Sequence, residues 1–368
     1  MNQIIFCHLL NDFSGSPKIL AETIFVLKKQ SSGAKIFVGS GSEGFLSDCD
    51  LPVTRYWYVR SKYRWVTLFA YFFSQLCLFF ALLRDRSIEK KAVIYVNTLL
   101  PFGAALYGKL TGRRVLYHIH EVSISPAPLR LYLTSLVKWT SSLNIYVSKT
   151  HMAMLPIGGV VARCIHNALE QGFQRVATAA PYMPRREGIF KVLMVASLRD
   201  YKGIPELLAL VDALAERDDI HFDLVVNGEL TDIDEYFSDK KCPPQLTVYP
   251  RTMDTPAFYG AASVVLNLSR VDTCQETFGL TILEAIAFGV PVIVPPIGGP
   301  AELVIDAVQG FLVDSRDTAQ LRLRVLALAD DEPLCMAISQ AARLRAQDFG
   351  HDKFAAALEA VVAEVQQC

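Results

Sequence analysis

The sequence lacks any Cys-x-x-Cys pair, although it has eight cysteines, spread over positions 7, 49, 77, 164, 242, 274, 335 and 368. This scatter argues against a zinc site and is typical of reduced thiols in the cytosol. The chain has no basic block or tail and a formal net charge of −1, so nucleic acid is not an expected partner. Only 20% of the residues are charged and 52% are hydrophobic, a balance that excludes a disordered chain.

The N-terminal stretch MNQIIFCHLL lacks the charged start and cleavage site of a signal peptide, and its pattern predicts a first β-strand. A turn at Ser14 and Gly15 follows, and then a predicted helix over 18–29. Ligands of doubly wound folds lie beyond the carboxyl ends of the strands, so this turn is placed to meet a ligand. Turn geometry alone would also explain its small residues. There is no Gly-x-Gly-x-x-Gly motif, so dinucleotide binding is not supported.

Short apolar runs alternate with helical patterns along the whole chain, which predicts α/β domains with parallel sheets and crossover helices. A length of 368 residues fits two domains. The pattern lapses over 171–189, so we expect a linker there between domains at 1–170 and 190–348, with a last helix at 349–368. The predicted strands are 4–8, 35–38, 52–57, 92–96, 114–119, 143–147, 190–196, 222–226, 246–249, 263–268, 291–295 and 311–313.

The most informative stretch is 270–302, which carries Glu276 and Glu284 with Gly279 between them. Its pattern predicts a loop, a helix, a strand and a glycine turn. Gly279 lets backbone approach a ligand closely, and the free N–H groups of a helix start favour phosphate oxygens. Both carboxylates can accept hydrogen bonds from the hydroxyls of a ribose or a hexose. For the two glutamates alone, an amphipathic helix with solvated carboxylates is the simpler interpretation.

Two cations, Arg199 and Lys202, follow the first predicted strand of the second half. A guanidinium and an ammonium at the carboxyl end of a strand can clamp a diphosphate, although either alone is more often surface charge. Gly228 follows the next strand, where a flat base could stack. Asp232 and Asp234 have the spacing of a metal-binding motif, but their polar surroundings predict solvated carboxylates.

In the first half, His118 and His120 lie on one face at the end of a predicted strand, and Glu121 follows them. A core histidine bound to a carbonyl is the usual explanation for one such residue. Two histidines and a glutamate at a carboxyl end are better placed to touch an acceptor hydroxyl. No third metal ligand is evident nearby, so a zinc site is not expected.

The segment 65–83 is unusually apolar: sixteen of its nineteen residues are apolar or aromatic, and basic residues flank it on both sides. By length it could just span a bilayer, but a span would separate strands of one predicted sheet. We therefore expect a crossover helix with one face on the sheet and the other against a membrane surface or a partner, of which the aromatic content and the basic flanks favour the membrane. A fully buried helix is the alternative.

Taken in order, the small-residue first loop, the His-Glu pair, SLRDYKG, NGEL, ETFGLTILEA and GGPAELV resemble the family 4 retaining glycosyltransferases of the GT-B type. The resemblance covers essentially the whole chain and is strongest over 195–314. It implies two Rossmann-like parallel-sheet domains facing each other across a cleft, with the last helix crossing back to the N-terminal domain. The first loop, FSGS, departs from the family because it has one glycine rather than two or more.

The resemblance also implies roles for the matching residues. Arg199 and Lys202 would neutralise the leaving diphosphate, while Glu276 and Glu284 would hold hydroxyls of the hexose and the ribose. The implied catalytic residues are His120, Glu276, Arg199 and Lys202. The implied donor-binding residues are Ser14, Gly15, Arg199, Lys202, Gly228, Glu276, Phe278, Gly279, Leu280 and Glu284. The implied acceptor-binding residues are His118, His120 and Glu121, with His118 the rival of His120.

The implied activity is a retaining, metal-independent transfer of a hexose from a GDP- or UDP-linked sugar to a glycan or polyprenyl-linked acceptor. No cofactor is expected, and the reaction would occur at the inner face of the cytoplasmic membrane, in surface polysaccharide synthesis. A sugar-nucleotide epimerase on the same fold and a non-catalytic scaffold are the alternatives. A scaffold has no physical need for two cations and two carboxylates in this pattern, which argues against it.

Overall fold

The computed structural model describes residues 2–273 and 275–367. The chain divides into two compact units: unit 1 comprises Met1–Asn167 with Asp352–Cys368, and unit 2 comprises Ala168–His351. Each unit contains one parallel sheet, which confirms the predicted α/β class with two Rossmann-like domains. The described cysteines with free thiols are Cys7, Cys49, Cys77, Cys164, Cys242 and Cys335; Cys274 and Cys368 lie outside the described residues.

The sheet of unit 1 has seven strands: β1 (Ile4–His8), β2 (Lys35–Gly39), β3 (Val53–Tyr56), β4 (Val93–Asn97), β5 (Arg114–Ile119), β6 (Leu143–Tyr146) and β7 (Val161–Cys164). Their order across the sheet is β3-β2-β1-β4-β5-β6-β7. Phe6 in β1 lies beside Ile36 on one side and Tyr95 on the other. All residues of β1 and β4 are buried, as is typical of a parallel sheet that helices cover on both faces.

The sheet of unit 2 has six strands: β8 (Phe190–Ala196), β9 (Ile220–Val226), β10 (Leu246–Tyr249), β11 (Val264–Leu266), β12 (Val292–Val294) and β13 (Gly310–Leu312). Their order is β10-β9-β8-β11-β12-β13. In both units the first strand lies between the second and the fourth, which is the Rossmann order. The direction of strand addition therefore reverses next to β1 and next to β8.

Helices connect most of these strands, as right-handed crossovers between parallel strands require. In the described part of the chain they are α1 (Gly15–Leu27), α2 (Arg64–Arg84), α3 (Phe102–Leu110), α4 (Ala127–Thr140), α5 (Lys149–Met154), α6 (Gln171–Ala179), α7 (Ile204–Ala213), α8 (Leu230–Phe237), α9 (Thr255–Ala261), α10 (Leu280–Ala287), α11 (Pro300–Leu303), α12 (Thr318–Ala329), α13 (Glu332–Ala346) and α14 (His351–Gln367).

Helix α1 begins at Gly15, three residues before the predicted start. Pro17 does not prevent this, because proline has no N–H to lose in the first turn of a helix, where those groups are unpaired anyway. Ser14 is the N-cap, and Asp12 Oδ1 accepts from both its N–H (3.0 Å) and its hydroxyl (2.5 Å). The turn at Ser14 and Gly15 is thus the start of the helix itself, and it is exposed.

Helix α6 lies inside the segment 171–189, where the sequence predicts an irregular linker. Phe173 and Ala177, four residues apart, give it one apolar side. The ring of Phe173 packs against Tyr259 of α9 at 6.1 Å and against Phe288, which follows α10, at 5.5 Å. Phe173, Val176 and Ala177 make only one i, i+3, i+4 repeat in a nine-residue helix, and a pattern this short does not reveal the helix from sequence.

Helix α2 occupies the predicted crossover, between β3 and β4. Its buried residues recur about every four positions, at 70, 71, 74, 75, 78 and 82, so one face packs on unit 1. The other face is exposed, with Trp65 83% and Phe69 74% accessible. A fully buried helix, the alternative from sequence, is therefore wrong.

Helix α14 belongs to unit 1 apart from its first residue. Its buried apolar side chains are Phe354, Leu358, Val361, Val362 and Val365, an apolar stripe of helical period. Polar contacts flank this stripe. Arg163 Nη2 of β7 lies 2.7 Å from Glu364 Oε1.

Candidate functional site

The loops that follow three adjacent strands of unit 2 carry most of the predicted site residues. Lys202 follows β8, Glu276 follows β11, and the Gly298-Gly299 turn follows β12. The boundary between β8 and β11 is the switch point of this sheet. Ligands of open α/β sheets bind outside the carboxyl ends of strands at such a point.

Lys202 and Glu276 form an ion pair within this group. Lys202 Nζ donates to Glu276 Oε1 at 2.6 Å, and the Ser269 hydroxyl donates to the same oxygen at 2.8 Å. Burial would raise the pKa of Glu276, but the charge of Lys202 and the donors Ser269 and Asn267 hold it below its ordinary value. The carboxylate is therefore ionised at neutral pH and oriented by neighbours on two different loops.

A short 3₁₀ turn, Asp200–Lys202, orients Lys202. Gly203 ends the turn with φ +88°, and a Cβ there would overlap the carbonyl oxygen of Leu268. Only glycine fits this position without strain. Arg199, just before the turn, is exposed and has no ion pair with any described residue. Its guanidinium is available to an anion in solution.

Helix α10 begins right after Gly279, and no described side chain caps its N-terminus. The preceding loop is anchored: Phe278 is buried, and the N–H of Gly299 donates to the carbonyl of Glu276 at 2.8 Å. Leu280 is the first helical residue and is partly exposed. Free N–H groups at a helix start attract anions. The first residue of this helix comes four positions after Glu276 in the sequence.

Glu284 lies within α10 and is almost completely buried. Its Oε2 accepts a hydrogen bond from the Tyr259 hydroxyl at 2.7 Å. Burial and the Glu284 carboxylate raise the pKa of Tyr259 well above its ordinary value, so the phenol remains a donor. Glu284 is thus held in place, and the solvated helix face considered from sequence does not describe it.

Gly228 follows β9, as predicted, and is buried. Its carbonyl accepts from the N–H of Arg251 at 2.9 Å. Asp232, four residues later, accepts from the N–H of Glu229 at 2.8 Å and forms a capping box at the start of α8. Its carboxylate therefore has a structural role, and Asp234 is exposed. Among the described residues, no group of three or more His, Cys, Asp or Glu side chains is arranged to hold a metal ion.

Unit 1 has its own cluster at the switch point between β1 and β4. His8 ends β1, Asn97 ends β4, and His118 and His120 lie at the end of β5. His8 Nδ1 donates to the carbonyl of Asn97 at 3.2 Å, and His120 Nε2 lies 3.0 Å from Asn97 Oδ1. The rings of His118 and His120 are 4.3 Å apart.

The histidines of this cluster are neutral at pH 7. Burial lowers the pKa of His8 to about 4 and that of His118 to about 3. Burial and the neighbouring imidazoles also lower the pKa of His120 well below its ordinary value. His118 is completely buried, with Nδ1 2.8 Å from the Tyr95 hydroxyl, whereas His120 is partly exposed. Of the two rivals, His120 is the one with access to a ligand.

Glu121 faces the protein backbone. Its Oε2 accepts from the N–H of Leu99 at 3.1 Å and from that of His120 at 3.3 Å. Burial raises the pKa of Glu121, although these hydrogen bonds act against the rise. The carboxylate joins the loop after β4 to the end of β5. This contact supports the position of His120.

A cavity of about 990 Å³ in unit 2 lies among α6, α10 and α13 and contains none of the predicted site residues. Arg343 is its charged group. That guanidinium donates to the carbonyls of Ala180 and Phe288 at 2.6 and 2.7 Å. Because this charge is satisfied by backbone carbonyls, the better candidate site is the sheet edge with Lys202 and Glu276, where Arg199 has no ion pair with any described residue.

The contributors to these clusters that were not predicted include Ser269, Asn97 and Tyr259. Ser269 and Asn97 lie at or just beyond strand ends, so the rule that singled out Lys202 could have found them. Tyr259 lies within α9 and meets Glu284 across 25 positions of sequence. No local signal identifies it.

Comparison with known families places the clearest relationship in unit 2. Residues 183–345 match the model of the family described as glycosyl transferases group 1. The chain is similar to D-inositol 3-phosphate glycosyltransferase of Pseudarthrobacter chlorophenolicus, 31% identical over 178 residues, which are 46% of this chain and 41% of that protein. It is also similar to probable sucrose-phosphate synthase 5 of Oryza sativa subsp. japonica, 32% identical over 136 residues, 36% of this chain and 13% of that protein. The chain spans less than half the length of these relatives.

Solved structures resemble the chain over its whole length. HepE of Anabaena, in complex with UDP and glucose, superposes with a TM-score of 0.78 at 20% identity. The superposition covers 98% of this chain and 99% of the HepE chain. Sucrose-phosphate synthase from Thermosynechococcus elongatus gives a TM-score of 0.75 at 16% identity, covering 99% of each chain. At these identities the likeness concerns the fold, and it confirms the predicted GT-B class.

Proposed function

We propose that this protein is a retaining glycosyltransferase that moves a hexose from a nucleotide-diphospho-sugar to a glycan or lipid-linked acceptor. The observation that carries the proposal is the Lys202–Glu276 pair at the switch point of unit 2. It lies within the residues that match the group 1 glycosyl transferases. The structure of HepE, which shares the fold, contains UDP and glucose, and this supports a nucleotide-sugar donor.

The donor side follows from the charges of unit 2. Arg199 and Lys202 would bind the diphosphate, together with the N–H groups at the start of α10, since fixed cations and dipoles stabilise charge that develops on a leaving group. Glu276 would then exchange its bond with Lys202 for a hexose hydroxyl. Glu284, held by Tyr259, would accept from the ribose.

The transfer needs no nucleophile and no metal supplied by the protein. The bond between the anomeric carbon and the diphosphate oxygen breaks, and the acceptor oxygen attacks the same face of the sugar. The acceptor proton passes to the leaving diphosphate, and the configuration is retained. With the cations above neutralising that diphosphate, we expect a chelator to leave the activity intact. Strict dependence on an added divalent metal would contradict this mechanism.

The residues that would meet the acceptor are in unit 1, outside the family match at 183–345. Some relatives are named for inositol 3-phosphate or sucrose phosphate, which carry a charged phosphate. The cluster around His120 is neutral and its described members include no lysine or arginine. Neutral donors and acceptors suit a hydroxyl better than a phosphate. We therefore favour a glycan or lipid-linked acceptor.

An exposed apolar surface on unit 1 supports a membrane-bound acceptor. We call it the α2–α4 surface; it comprises Trp65, Phe69, Phe73, Leu76 and Phe80 of α2 with Leu131 and Trp139 of α4. Phe72 of α2 packs on Tyr132 of α4 at 5.8 Å, so the two helices are adjacent. Residues 51–84 include five basic and no acidic residues, and 122–169 include four basic and none acidic.

Aromatic side chains with a basic surround bind the interface of anionic membranes. Helix α2 is long and apolar enough to cross a membrane by length and composition alone, with a mean hydropathy of 2.1 over its most apolar window. However, it is packed on unit 1: the Tyr71 hydroxyl donates to the carbonyl of Leu100 at 2.8 Å. We propose that it lies on the inner face of the cytoplasmic membrane, with the protein otherwise in the cytosol.

Nucleotide binding tests the donor side first. Ligands that bind the folded state raise Tm, so UDP, GDP, ADP, TDP and CMP are compared by thermal shift, and the nucleotide that binds is followed by calorimetry. Arg199→Ala should weaken its binding about 10–100-fold, the loss of one charge-assisted contact. Arg175→Ala is the matched control, since Arg175 is an exposed arginine of the same unit.

The proposal is supported if one nucleoside diphosphate binds and if Arg199→Ala binds it more weakly than Arg175→Ala does. Transfer of labelled sugar from the corresponding donor then separates a transferase from an epimerase. If no diphosphate binds to the wild-type protein, the proposed activity is wrong.

Vesicle flotation tests the membrane contact. Leu76 in α2 and Leu323 in α12 are both exposed helical leucines, 56% and 53% accessible, so Leu76→Glu and Leu323→Glu form a matched pair. On phosphatidylcholine vesicles with about one third phosphatidylglycerol, Leu76→Glu should reduce binding at least tenfold, since it loses an apolar contact and adds a negative charge. Equal binding by both variants would exclude the α2–α4 surface as the contact.

A further inference from the structure

Asn97 connects two parts of the candidate site in unit 1. It is the last residue of β4, and its side chain is completely buried. Its Oδ1 lies 3.0 Å from His120 Nε2, and its Nδ2 lies 3.2 Å from the carbonyl oxygen of Ser16 in the first turn of α1 and 3.3 Å from His8 Nδ1. One amide therefore joins the histidine after β5 to the turn that contains Ser14 and Gly15.

These partners determine which atoms carry hydrogen. The carbonyl of Ser16 only accepts, so the NH₂ group of Asn97 faces it and Oδ1 faces His120. Because Oδ1 also only accepts, His120 Nε2 carries a hydrogen and donates it. In the neutral ring Nδ1 is then unprotonated, and no described residue bonds to it.

We propose that Asn97 is a positioning residue that holds His120 as the Nε2–H tautomer, with Nδ1 ready to accept a hydrogen bond from a substrate hydroxyl. The same amide fixes this ring relative to residues 14–16. This inference rests on the proposed function, because it gives His120 a role toward a sugar substrate. Asn97 is completely buried. It therefore does not contact the substrate itself and influences the substrate through His120.

The backbone around Asn97 is held by other contacts. The N–H of Thr98 donates to the carbonyl of His118 at 2.8 Å, and Glu121 accepts from the next N–H, that of Leu99. Thr98 has φ +72°, which a β-branched residue rarely adopts, so these contacts hold the chain in a strained conformation. Replacing the Asn97 side chain should therefore free the imidazole ring of His120 and leave the backbone at the end of β4 in place.

Two variants and one control test the role. Asn97→Ala removes all three side-chain contacts, to His120, Ser16 and His8, whereas Asn97→Asp keeps an oxygen for His120 but cannot donate to Ser16. Asn144→Ala is the matched control: Asn144 is completely buried in β6 of the same sheet, and neither of its side-chain polar atoms bonds to a described residue.

We expect Asn97→Ala to lower kcat about 10–100-fold, in the range of a misplaced acid–base or hydrogen-bonding group. Asn97→Asp should recover most of that loss at pH 8, and Asn144→Ala should stay close to wild type. The new carboxylate also favours an imidazolium, against burial and the neighbouring His8, His118 and His151. The kcat/KM of Asn97→Asp should therefore fall below about pH 7, where that of wild type is flat. A structural defect would lower the active fraction equally at every pH.

A direct readout of the tautomer needs no substrate. Long-range ¹H–¹⁵N spectra of protein labelled at histidine distinguish the two tautomers, and His120→Gln assigns the signals of His120. Wild type and Asn144→Ala should show the Nε2–H form, and Asn97→Ala a mixture. An unchanged tautomer with unchanged kcat in Asn97→Ala, or an equal loss in Asn144→Ala, would overturn the role of Asn97. A wild type that binds no nucleotide would overturn the proposed function and leave the tautomer result standing.

Discussion

Replacing Lys202 by methionine should leave the Glu276 carboxylate without its cation in a partly buried site. The two side chains are 21% and 20% exposed, and Nζ lies 2.6 Å from Oε1. The hydroxyl of Ser269 would remain as a donor at 2.8 Å. Methionine keeps most of the length and apolar stem of lysine, so the substitution removes mainly the charge.

The magnitude follows from this degree of burial. Breaking a fully buried ion pair costs about 3–5 kcal/mol and an exposed pair contributes about 0–1 kcal/mol, so a pair with a fifth of its surface exposed should cost about 2–3 kcal/mol. For a unit of this size each kcal/mol lowers Tm by about 2–4 °C, which predicts a fall of roughly 4–12 °C.

The loss should depend on pH in a defined direction. In wild type the pKa of Glu276 is held below its ordinary value, so its stabilising contribution is present above the unfolded pKa and is lost as pH falls through the folded pKa. In Lys202→Met burial acts without the cation and raises the pKa above the unfolded value. The penalty is then present at neutral pH and is relieved by protonation as pH falls. The difference in Tm between Lys202→Met and wild type should shrink between about pH 7.5 and 5.

Scanning fluorimetry on wild type, Lys202→Met, Glu276→Gln and the double variant measures this. The double variant should lose about 1–2 kcal/mol less than the sum of the single losses, because the two side chains act as a pair. Lys241→Met is the control, since Lys241 is an exposed lysine of the same unit. Additive losses, or a deficit that is the same at both pH values, would refute the ion pair as the cause.

Two further predictions concern the two clusters. In unit 1, the pKa values of about 4 for His8 and about 3 for His118 lie below the unfolded value, so stability is fully present above about pH 6.5 and is lost as pH falls toward those values. Each should contribute a loss of about 2 kcal/mol by pH 5, and His118→Gln should show a shallower decline of Tm over this range. In unit 2, Gly203→Ala should destabilise more than Gly188→Ala: both residues have positive φ, which costs alanine about 1–2 kcal/mol, but only at Gly203 would the new Cβ overlap backbone. Equal losses of Tm would show that the Leu268 carbonyl does not restrict this position.

The strands were the most predictable feature of the fold. The predicted strands 4–8, 114–119, 190–196 and 246–249 agree with β1, β5, β8 and β10 at both ends. Buried parallel strands are continuous apolar runs between turn residues, so the local pattern determines them. The start of α1 and the existence of α6 were missed. Both depend on where a short polar segment packs, which the local pattern does not reveal.

The site shows the same limit at the level of side chains. Lys202 and Glu276 were each predicted to meet a ligand, yet their contact with one another was not, because it joins positions 74 residues apart. The pairing of Asn97 with His120 is likewise a product of the order of β4 and β5 in the sheet. Motifs identify which residue types reach the carboxyl edge, and strand order decides which of them meet.

The two units use one strand order for different chemistry. At the switch point of unit 2 the side chains are charged, and Lys202 holds the pKa of Glu276 below its ordinary value. At the switch point of unit 1 the side chains are imidazoles, and burial keeps His118 and His120 neutral. A fixed cation suits a phosphate anion, whereas a neutral imidazole can accept from or donate to a hydroxyl. Glycosyl transfer requires both, because a diphosphate anion leaves and an acceptor hydroxyl attacks. The difference in charge between the two clusters is therefore the physical reason to propose donor binding by unit 2 and acceptor binding by unit 1.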